Sequence, residues 1–241
     1  MLRPSKRPGH FFAPAFRDEA SSPRPLGPGI TGMRFPMYIP KIFRNDDFPQ
    51  VQQFIRDHPF ALVVCNVAGA APLATHLPVE LEQNAAGQAV LVGHFARGNP
   101  QWKTMEAAGH ALVVFSGAHH YVSSSWYGHE NVPTWNYIAV HVSGPARLQT
   151  PAETHAAVAR LMHRYEPPDR SPRSFEQLSA PVLQRELAGI VGFEVQVANI
   201  EAAFKLSQNR NAADHASIVA ELQKLQTPAA ADMAAAMCPM R

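Results

Sequence analysis

The sequence is poor in cysteine, in charge and in long apolar runs, and each shortage excludes a class of protein. Its 241 residues include only two cysteines, Cys65 and Cys238, too few for a disulfide-stapled fold and typical of a reducing cytoplasm. The most apolar stretch, residues 60–74, is interrupted by Asn66 and Pro72 and falls short of the roughly 18 residues that a membrane span needs. No apolar core follows the basic N-terminus as in a signal peptide, so we predict a cytoplasmic protein without a membrane segment.

Charge is also scarce, and the main part of the chain has no basic excess. Residues 1–36 carry six Lys/Arg and two Asp/Glu, whereas residues 37–241 carry fifteen and seventeen. Nucleic-acid-binding domains usually concentrate basic residues on one face, and no helix-turn-helix pattern is present. DNA binding is therefore not supported by charge or motif; if it occurs, the +4 arm would give a salt-sensitive, sequence-independent attraction.

Composition divides the chain into three parts. Residues 1–36 hold seven of the 22 prolines and show no periodicity, which predicts a disordered Pro/Arg-rich extension. The extension is either a flexible arm or the product of a start codon placed too far upstream, because Met33 and Met37 precede the periodic sequence closely. Residues 37–228 form the predicted domain, and residues 229–241 form an Ala-rich tail.

Within the domain, apolar alternation and turn residues predict six strands of antiparallel type with helices between and after them. The predicted strands are residues 59–67, 73–81, 88–96, 110–117, 133–148 and 192–204. The predicted helices are residues 47–56, 97–109, 150–166, 174–188 and 212–226, with Thr150 and Glu153 as a capping box and Asn99 as the cap of the second. This order predicts a mainly β fold of the α+β class, a small β-barrel with appended helices.

Four parts of the chain are too polar and aromatic for ordinary strand ends. They are residues 74–78, residues 93–102, residues 119–127 together with 132–137, and residues 204–210. They combine cations, hydroxyls, planar rings and a helix start. A phosphate is bound by cations, hydroxyls and free backbone N–H groups, and a flat ring by an apolar slot with polar edges. The set therefore favours a phosphorylated aromatic cofactor.

The same segments carry a family resemblance. The motifs "MYIPKIF", "THLP", "GHFARGNPQW", "HHYVSSSWY", "VPTWNY", "VHVSG", "GFEV" and "KLSQNR" occur in the order found in PaiB-type FMN-binding negative transcriptional regulators, which the chain resembles over residues 37–226. The resemblance implies a split β-barrel of the FMN-binding type and a homodimer with FMN near the subunit interface. Two positions depart from the family pattern: Ile42 stands where His is usual, and Ser124 where Pro is usual. The second change is expected to loosen its loop.

The resemblance and the polar segments together predict a set of cofactor-binding residues. They are His76, Leu77, Pro78, His94, Arg97, Asn99, Tyr121, Ser123, Ser125, Trp126, Tyr127, Thr134, Trp135, Asn136, Lys205, Gln208 and Arg210. For His76 a turn histidine bonded to the backbone is an equal alternative, and for His94 a structural role is favoured. No catalytic residue is assigned. No His, Cys, Asp or Glu spacing matches a metal motif, so no metal site is predicted.

Two functions are compatible with this site. The first is an FMN-binding regulator in which flavin occupancy or redox state is coupled to regulation. The alternative is an FMN-dependent oxidoreductase that uses a nicotinamide cofactor and a small acceptor, with the flavin performing the chemistry. Heme is a less favoured ligand: the chain has 12 histidines, but the adjacent His119 and His120 would point to opposite faces of a strand.

Overall fold

The fold is described from a computed structural model, for residues 37–238. The predicted N-terminal extension, residues 1–36, and the last three residues of the predicted tail lie outside the described range. In that range, no helix is long and apolar enough to span a membrane.

Residues 37–238 fold into seven strands and six α-helices. The strands are β1 Phe60–Cys65, β2 Leu73–Gln83, β3 Ala89–Ala96, β4 His110–Val122, β5 Thr134–Leu148, β6 Ile190–Gln196 and β7 Asn199–Lys205. The helices are α1 Phe48–Asp57, α2 Gln101–Ala108, α3 Pro151–Tyr165, α4 Ala180–Ala188, α5 Ala212–Lys224 and α6 Pro228–Met237, with short 3-10 helices at Lys41–Phe43, Ser124–Trp126 and Phe175–Gln177.

Every strand pairing is antiparallel, and the sheet closes on itself. The order is β4-β1-β2-β3-β6-β5-β7, and an additional β4–β5 pairing completes a six-stranded barrel. Strand β5 pairs with β6 only over Ala146–Leu148 and with β7 over Tyr137–Ser143. The barrel is therefore closed at one end and split at the other. This confirms the predicted α+β split β-barrel.

The strand predicted over residues 192–204 is two strands in the structure. Strands β6 and β7 run in the same direction along β5, but the chain is irregular at Val197 and Ala198. The Val197 N–H still bonds to Ala89 of β3, whereas the Ala198 N–H bonds to Ser143 of β5. The interruption lies where the chain leaves β3 and continues beside β5 alone, a change of partner that the apolar pattern does not encode.

Two apolar clusters hold the domain together. The first fills the barrel with residues such as Val63, Leu91, Phe115 and Val140, and α1 packs against it through Phe54. Each such buried side chain contributes about 1.5–3 kcal/mol through burial of apolar surface.

The second cluster joins α5, α6 and the end of β4 through residues that include Val122, Ile218 and Met233. Most of the predicted Ala-rich tail is thus helix α6. It begins with Pro228 after a Thr227 cap, and its alanines favour helix.

Local capping signals fix the ends of the other helices. Thr150 and Glu153 form the predicted capping box at the start of α3. Helix α2 begins at Gln101 rather than at Pro100, and the Asn99 side chain accepts a 2.9 Å hydrogen bond from the Gln101 N–H. Asn99 thus accepts a hydrogen bond from a free N–H group at the helix start, as predicted. It stands two residues before the first residue of the helix rather than one.

Candidate functional site

The predicted cofactor-binding residues fall into two groups in the fold. The strand-β2 group comprises His76, Leu77, Pro78, His94, Arg97 and Asn99, from β2, β3 and the start of α2. The hairpin group comes from the end of β4, the β4–β5 connection, the start of β5, and the end of β7 with the turn that follows it. Its members are Tyr121, Ser123, Ser125, Trp126, Tyr127, Thr134, Trp135, Asn136, Lys205, Gln208 and Arg210.

Strand register separates the two groups along the barrel. His76 lies opposite Leu62 of β1, Leu62 opposite Val114 of β4, and Val114 opposite His141 of β5. Thr134 precedes His141 by seven strand residues, which corresponds to about 23 Å. The offset is largest at Thr134, whereas Lys205 lies opposite Tyr137, only four residues from His141.

In the strand-β2 group, the side chains near α2 are bonded to each other and to the barrel. Asn99 donates to Thr75 Oγ1 at 2.9 Å, and Thr75 donates to Gln101 Oε1 at 2.6 Å. Gln101, which is buried, donates in turn to the carbonyl of Val63 at 2.8 Å. This chain of hydrogen bonds ties the start of α2 to β1 and β2. Thr75 and Gln101 were not among the predicted residues, although both lie within the polar segments.

Arg97 uses part of its side chain to bind backbone carbonyls, and it also lines a cavity with Gln149 and Thr154. Its Nε donates to the carbonyl of Ala188 at 2.7 Å, and one terminal nitrogen donates to the carbonyl of Ile190 at 2.9 Å. The side chain therefore fixes the connection between α4 and β6. Two of its five donors are used in this way.

The two histidines of the strand-β2 group lie in different surroundings. His76 is exposed and stacks on Phe60, with ring centroids 6.0 Å apart. His94 lines a small cavity of about 10 Å³ with Pro78 and Glu80, under helix α3, and burial lowers its pKa. Leu77, which follows His76 on β2, belongs to the barrel core.

The hairpin group contains two neighbouring cations. Lys205 donates from Nζ to Thr134 Oγ1 at 2.6 Å, and its Nζ lies 5.7 Å from the centre of the Phe43 ring. Burial, and then the positive charge of Arg210, lower the pKa of Lys205. Like charges held this close favour an anion between or beside them.

Arg210 and Tyr127 leave polar atoms without a partner. The Arg210 guanidinium lies over the Tyr127 ring, 4.6 Å from its centre. Arg210 Nε and the Tyr127 hydroxyl are both buried and make no hydrogen bond within the described residues. An orphaned buried donor costs about 1–3 kcal/mol, which a ligand acceptor would recover.

The serines and exposed rings of the hairpin group complete this region. Ser123 Oγ accepts from the Ser125 N–H at 3.2 Å and lies 2.8 Å from Ser125 Oγ. The hydroxyl thus caps the short 3-10 helix that begins at Ser124, the position where proline is usual in the family. Tyr121 and Trp135 are 42% and 55% exposed, with ring centroids 6.1 Å apart.

Two residues of the hairpin group use their polar atoms inside the fold. Asn136 is fully buried, donates to Ser207 Oγ at 3.0 Å and contacts the sulfur of Met237 in α6. Gln208 folds back, accepting from the Leu206 N–H at 2.7 Å and donating to the Phe204 carbonyl. Both side chains shape the turn that follows Lys205.

Asp214, which was not among the predicted residues, anchors this region. Asp214 is 3% exposed and accepts from the Gly128 N–H at 2.8 Å. The "NAAD" sequence at the start of α5 is a capping pattern that could have identified it, because Asn211 accepts from the Asp214 N–H at 2.8 Å.

The hairpin group has the chemistry of a site for a phosphorylated planar ligand. Two cations, several hydroxyls and two orphaned donors suit a phosphate, and two exposed aromatic rings suit a conjugated ring system. Within the described part of the chain, no group of three or more His, Cys, Asp or Glu side chains is placed to hold a metal ion.

Similarity to known proteins agrees with this chemistry. Residues 37–199 match the family described as "Putative FMN-binding domain". The Bacillus subtilis (strain 168) protein "Protease synthase and sporulation protein PAI 2" is 43% identical over 201 residues, which cover 83% of this chain and 96% of that protein. An uncharacterized protein of Emericella nidulans is 27% identical over 233 residues, covering 80% of this chain and 93% of its own length.

Solved structures with low sequence identity share the fold. The FAD and heme binding protein from Mycobacterium smegmatis superposes with a TM-score of 0.54 at 16% identity, covering 73% of this chain and 79% of that one. The flavocytochrome Anf3 from Azotobacter vinelandii gives 0.55 at 18% identity, covering 72% and 75%. The split barrel, the family match and the extent of identity to the Bacillus protein lead to one assignment: the chain belongs to the PaiB-type family of FMN-binding-domain proteins.

Proposed function

We propose that this chain binds FMN as a homodimer, with the hairpin group forming the phosphate-binding wall, and that flavin occupancy or redox state is coupled to a regulatory role. The observation that carries the proposal is a pair of buried donors, Arg210 Nε and the Tyr127 hydroxyl, which have no partner among residues 37–238 and lie near the cation Lys205. The phosphate of FMN is an anion whose oxygens could accept hydrogen bonds from these donors.

The residues of the wall have separate tasks. Lys205 and Arg210 supply positive charge, and Thr134 orients the Lys205 ammonium by accepting its hydrogen bond. Tyr121 and Trp135 offer flat, exposed surfaces near the same strand ends. When bound, FMN supplies reversible electron or hydride acceptance, and the protein supplies charge and orientation.

A second copy of the chain would make the predicted set complete. Thr134 and His76 lie about 23 Å apart along the strands, so a ligand that contacts both of these residues would take each from a different subunit. The outer face of the sheet supports such pairing, because its apolar side chains, Leu62, Val64, Leu112 and Val114, are only half-buried. Exposed rings such as Trp135 are typical of interfaces or ligand sites.

The regulatory part of the proposal is supported by similarity to the Bacillus subtilis protein rather than by a nucleic-acid-binding site. The name of the Bacillus subtilis relative links that protein to protease synthesis and sporulation. The acidic balance of residues 37–241 favours a protein partner, or contact through the basic arm, over direct reading of DNA. The low cysteine content supports a cytoplasmic location.

Spectroscopy on the purified full-length chain tests the proposal. Flavin absorption bands that stay with the protein through desalting, or that appear on adding FMN, are expected, together with a dimeric mass by light scattering. Titration with riboflavin, which lacks the phosphate, should give at least about tenfold weaker binding if the cations bind phosphate. A Soret band instead of flavin bands would favour heme, and absence of FMN binding would overturn the proposal.

Turnover assays separate the regulator from the oxidoreductase alternative. If purified FMN-loaded protein oxidises NADH or NADPH steadily in the presence of an electron acceptor, the enzyme alternative gains support. If FMN binds tightly but nicotinamide oxidation stays at the rate of free flavin, the regulatory role is favoured.

A further inference from the structure

A buried carboxylate lies behind the proposed FMN wall. Asp214, in the first turn of α5, accepts one hydrogen bond from the Gly128 N–H at 2.8 Å and another from Asn211 Nδ2 at 2.8 Å. Its second oxygen also lies 3.2 Å from His129 Nδ1. Burial of an ionised group requires such partners. Gly128 and His129 come from the β4–β5 connection, and Asn211 comes from the start of α5.

The hydrogen bonds around His129 define which of its nitrogens carries the proton. Asn131 Oδ1 accepts from the Val132 N–H at 2.8 Å, which fixes the orientation of the amide. The Asn131 amide nitrogen therefore faces His129 Nε2, at 3.0 Å. Since an amide N–H₂ only donates, Nε2 accepts, which assigns the proton of the neutral ring to Nδ1, the nitrogen that lies 3.2 Å from the Asp214 carboxylate.

This network holds both ends of the loop that carries the wall. Tyr127 immediately precedes Gly128, and Thr134 follows two residues after Val132. On the other side, Arg210 immediately precedes the Asn211 cap of α5. Asp214 therefore connects the segment that places the Tyr127 ring with the segment that places the Arg210 guanidinium stacked on it.

We propose that Asp214 is a positioning residue for the FMN site, acting through the Gly128 N–H and through the Nδ1–H tautomer of His129. The inference rests on the proposed FMN function, but the hydrogen-bond network exists without the ligand. The charged group in contact with His129 is the Asp214 carboxylate. Glu130 follows it in sequence, and the Tyr127 ring, which carries the Arg210 guanidinium, has its centre 6.0 Å from that of the His129 ring.

Replacing the Asp214 carboxylate by an amide should move the His129 proton from Nδ1 to Nε2. In the variant Asp214→Asn, the amide oxygen can still accept from Gly128, but the amide nitrogen faces the donors of Asn211 and His129. His129 can then accept at Nδ1 only by moving its proton to Nε2. That proton would face the Asn131 amide, so the loop loses a second contact.

The first experiment is nitrogen-15 NMR of the histidines in the full-length protein without FMN, with the His129 signals assigned by their loss in His129→Gln. The expected result is the Nδ1–H tautomer in the unmodified chain and the Nε2–H tautomer in Asp214→Asn. A matched control is Asp47→Ala, which removes the capping aspartate of α1 and should leave the His129 tautomer unchanged. An Nε2–H tautomer in the unmodified chain would overturn the proposal.

The second experiment is titration with FMN followed by flavin fluorescence. Asp214→Asn should weaken binding about tenfold, the equivalent of one hydrogen bond, and Asp47→Ala should bind normally. If Asp214→Asn does not fold, His129→Ala, at a side chain that is 52% exposed, serves instead, and His129→Gln, which keeps a donor toward Asp214, should restore most of the affinity.

The outcomes distinguish this inference from the proposed function. If the tautomer changes as expected while all variants bind FMN like the unmodified chain, Asp214 does not position the site and the inference is wrong. If the unmodified chain itself does not bind FMN, the proposed function fails, and the positioning role fails with it, whereas the NMR result would still establish the Asp214–His129 contact.

Discussion

Lys205 and Thr134 are joined by a 2.6 Å hydrogen bond between the ammonium and the threonine hydroxyl, although 71 positions separate them in sequence. The contact links the end of β7 to the beginning of β5, at the split end of the barrel. It holds a cation in a partly buried position where burial and the Arg210 charge lower its pKa. A cation in such surroundings gains most from an anionic ligand.

Replacement of Lys205 by methionine should weaken FMN binding by about tenfold or more, because a charge-assisted hydrogen bond to the phosphate is lost. Riboflavin binding should change much less, since riboflavin has no phosphate. Fluorescence titration with both ligands measures the difference. Lys224→Met, which removes an exposed lysine paired with Glu221 on α5, is the matched control and should change neither affinity. Equal losses for both ligands would contradict a phosphate contact.

Replacement of Asn136 by alanine should lower the free energy of unfolding by about 1–3 kcal/mol, because the Ser207 hydroxyl is left buried without a partner. Urea denaturation measures the loss. In the double variant with Ser207→Ala, the two losses should not add, since each single change removes the same contact. Additive losses would show that Asn136 and Ser207 act independently.

Replacement of Gly144 by alanine should destabilise the fold by at least about 2 kcal/mol. A Cβ at this position would lie 1.9 Å from the backbone carbonyl oxygen of Gln196, which cannot move without breaking the β5–β6 approach. Gly98→Ala is the control: a Cβ there meets no atom within 4 Å, so the change should stay within about 0.5 kcal/mol. Urea denaturation of both variants decides; similar stabilities would disprove the close approach.

The ion pair between Arg147 and Glu153 should make stability depend on pH in the acid range. The Arg147 side chain, and then the Thr150 backbone, lower the pKa of Glu153 from 4.5 to about 2. Because this pKa is lower in the folded protein than in the unfolded chain, the stabilisation is present above about pH 4.5 and is lost as the pH falls toward 2. Both partners are substantially exposed, so the contribution should not exceed about 1 kcal/mol.

Urea denaturation of Arg147→Gln between pH 2 and neutral pH tests this dependence. The difference in unfolding free energy from the unmodified chain should be greatest above pH 4.5 and vanish near pH 2. Arg185→Gln, which removes a highly exposed arginine paired with its neighbour Glu186, should show little pH-dependent difference. A loss that is constant with pH would indicate that Arg147 stabilises the fold by packing alone.

Local features of the fold could be predicted from the sequence, and long-range ones could not. The Thr150–Glu153 capping box was identified because its residues lie three positions apart and satisfy each other's backbone groups. The interruption at Val197 and Ala198 was missed, because it depends on which strand lies alongside. Alternating apolar residues report which face is buried but not which neighbour is bonded.

The candidate site shows the same limit. The sequence and the family resemblance predicted the residue types of the hairpin group, including Lys205 and Arg210. They did not show that Arg97 would bind the carbonyls of Ala188 and Ile190, some 90 positions away. They also did not identify Asp214, whose importance arises from the Gly128 contact across two segments.

The double pairing of β5 also bears on the order in which the molecule assembles. During synthesis β5 emerges directly after β4 and can form a hairpin with it at once, whereas its partners β6 and β7 follow only after α3 and α4 have been made. Contacts of long sequence separation form slowly because the loop-closure entropy must be lost first. Until then one edge of β5 is open to strands of other chains, so this edge is where a nascent or partly unfolded molecule is most exposed to aggregation.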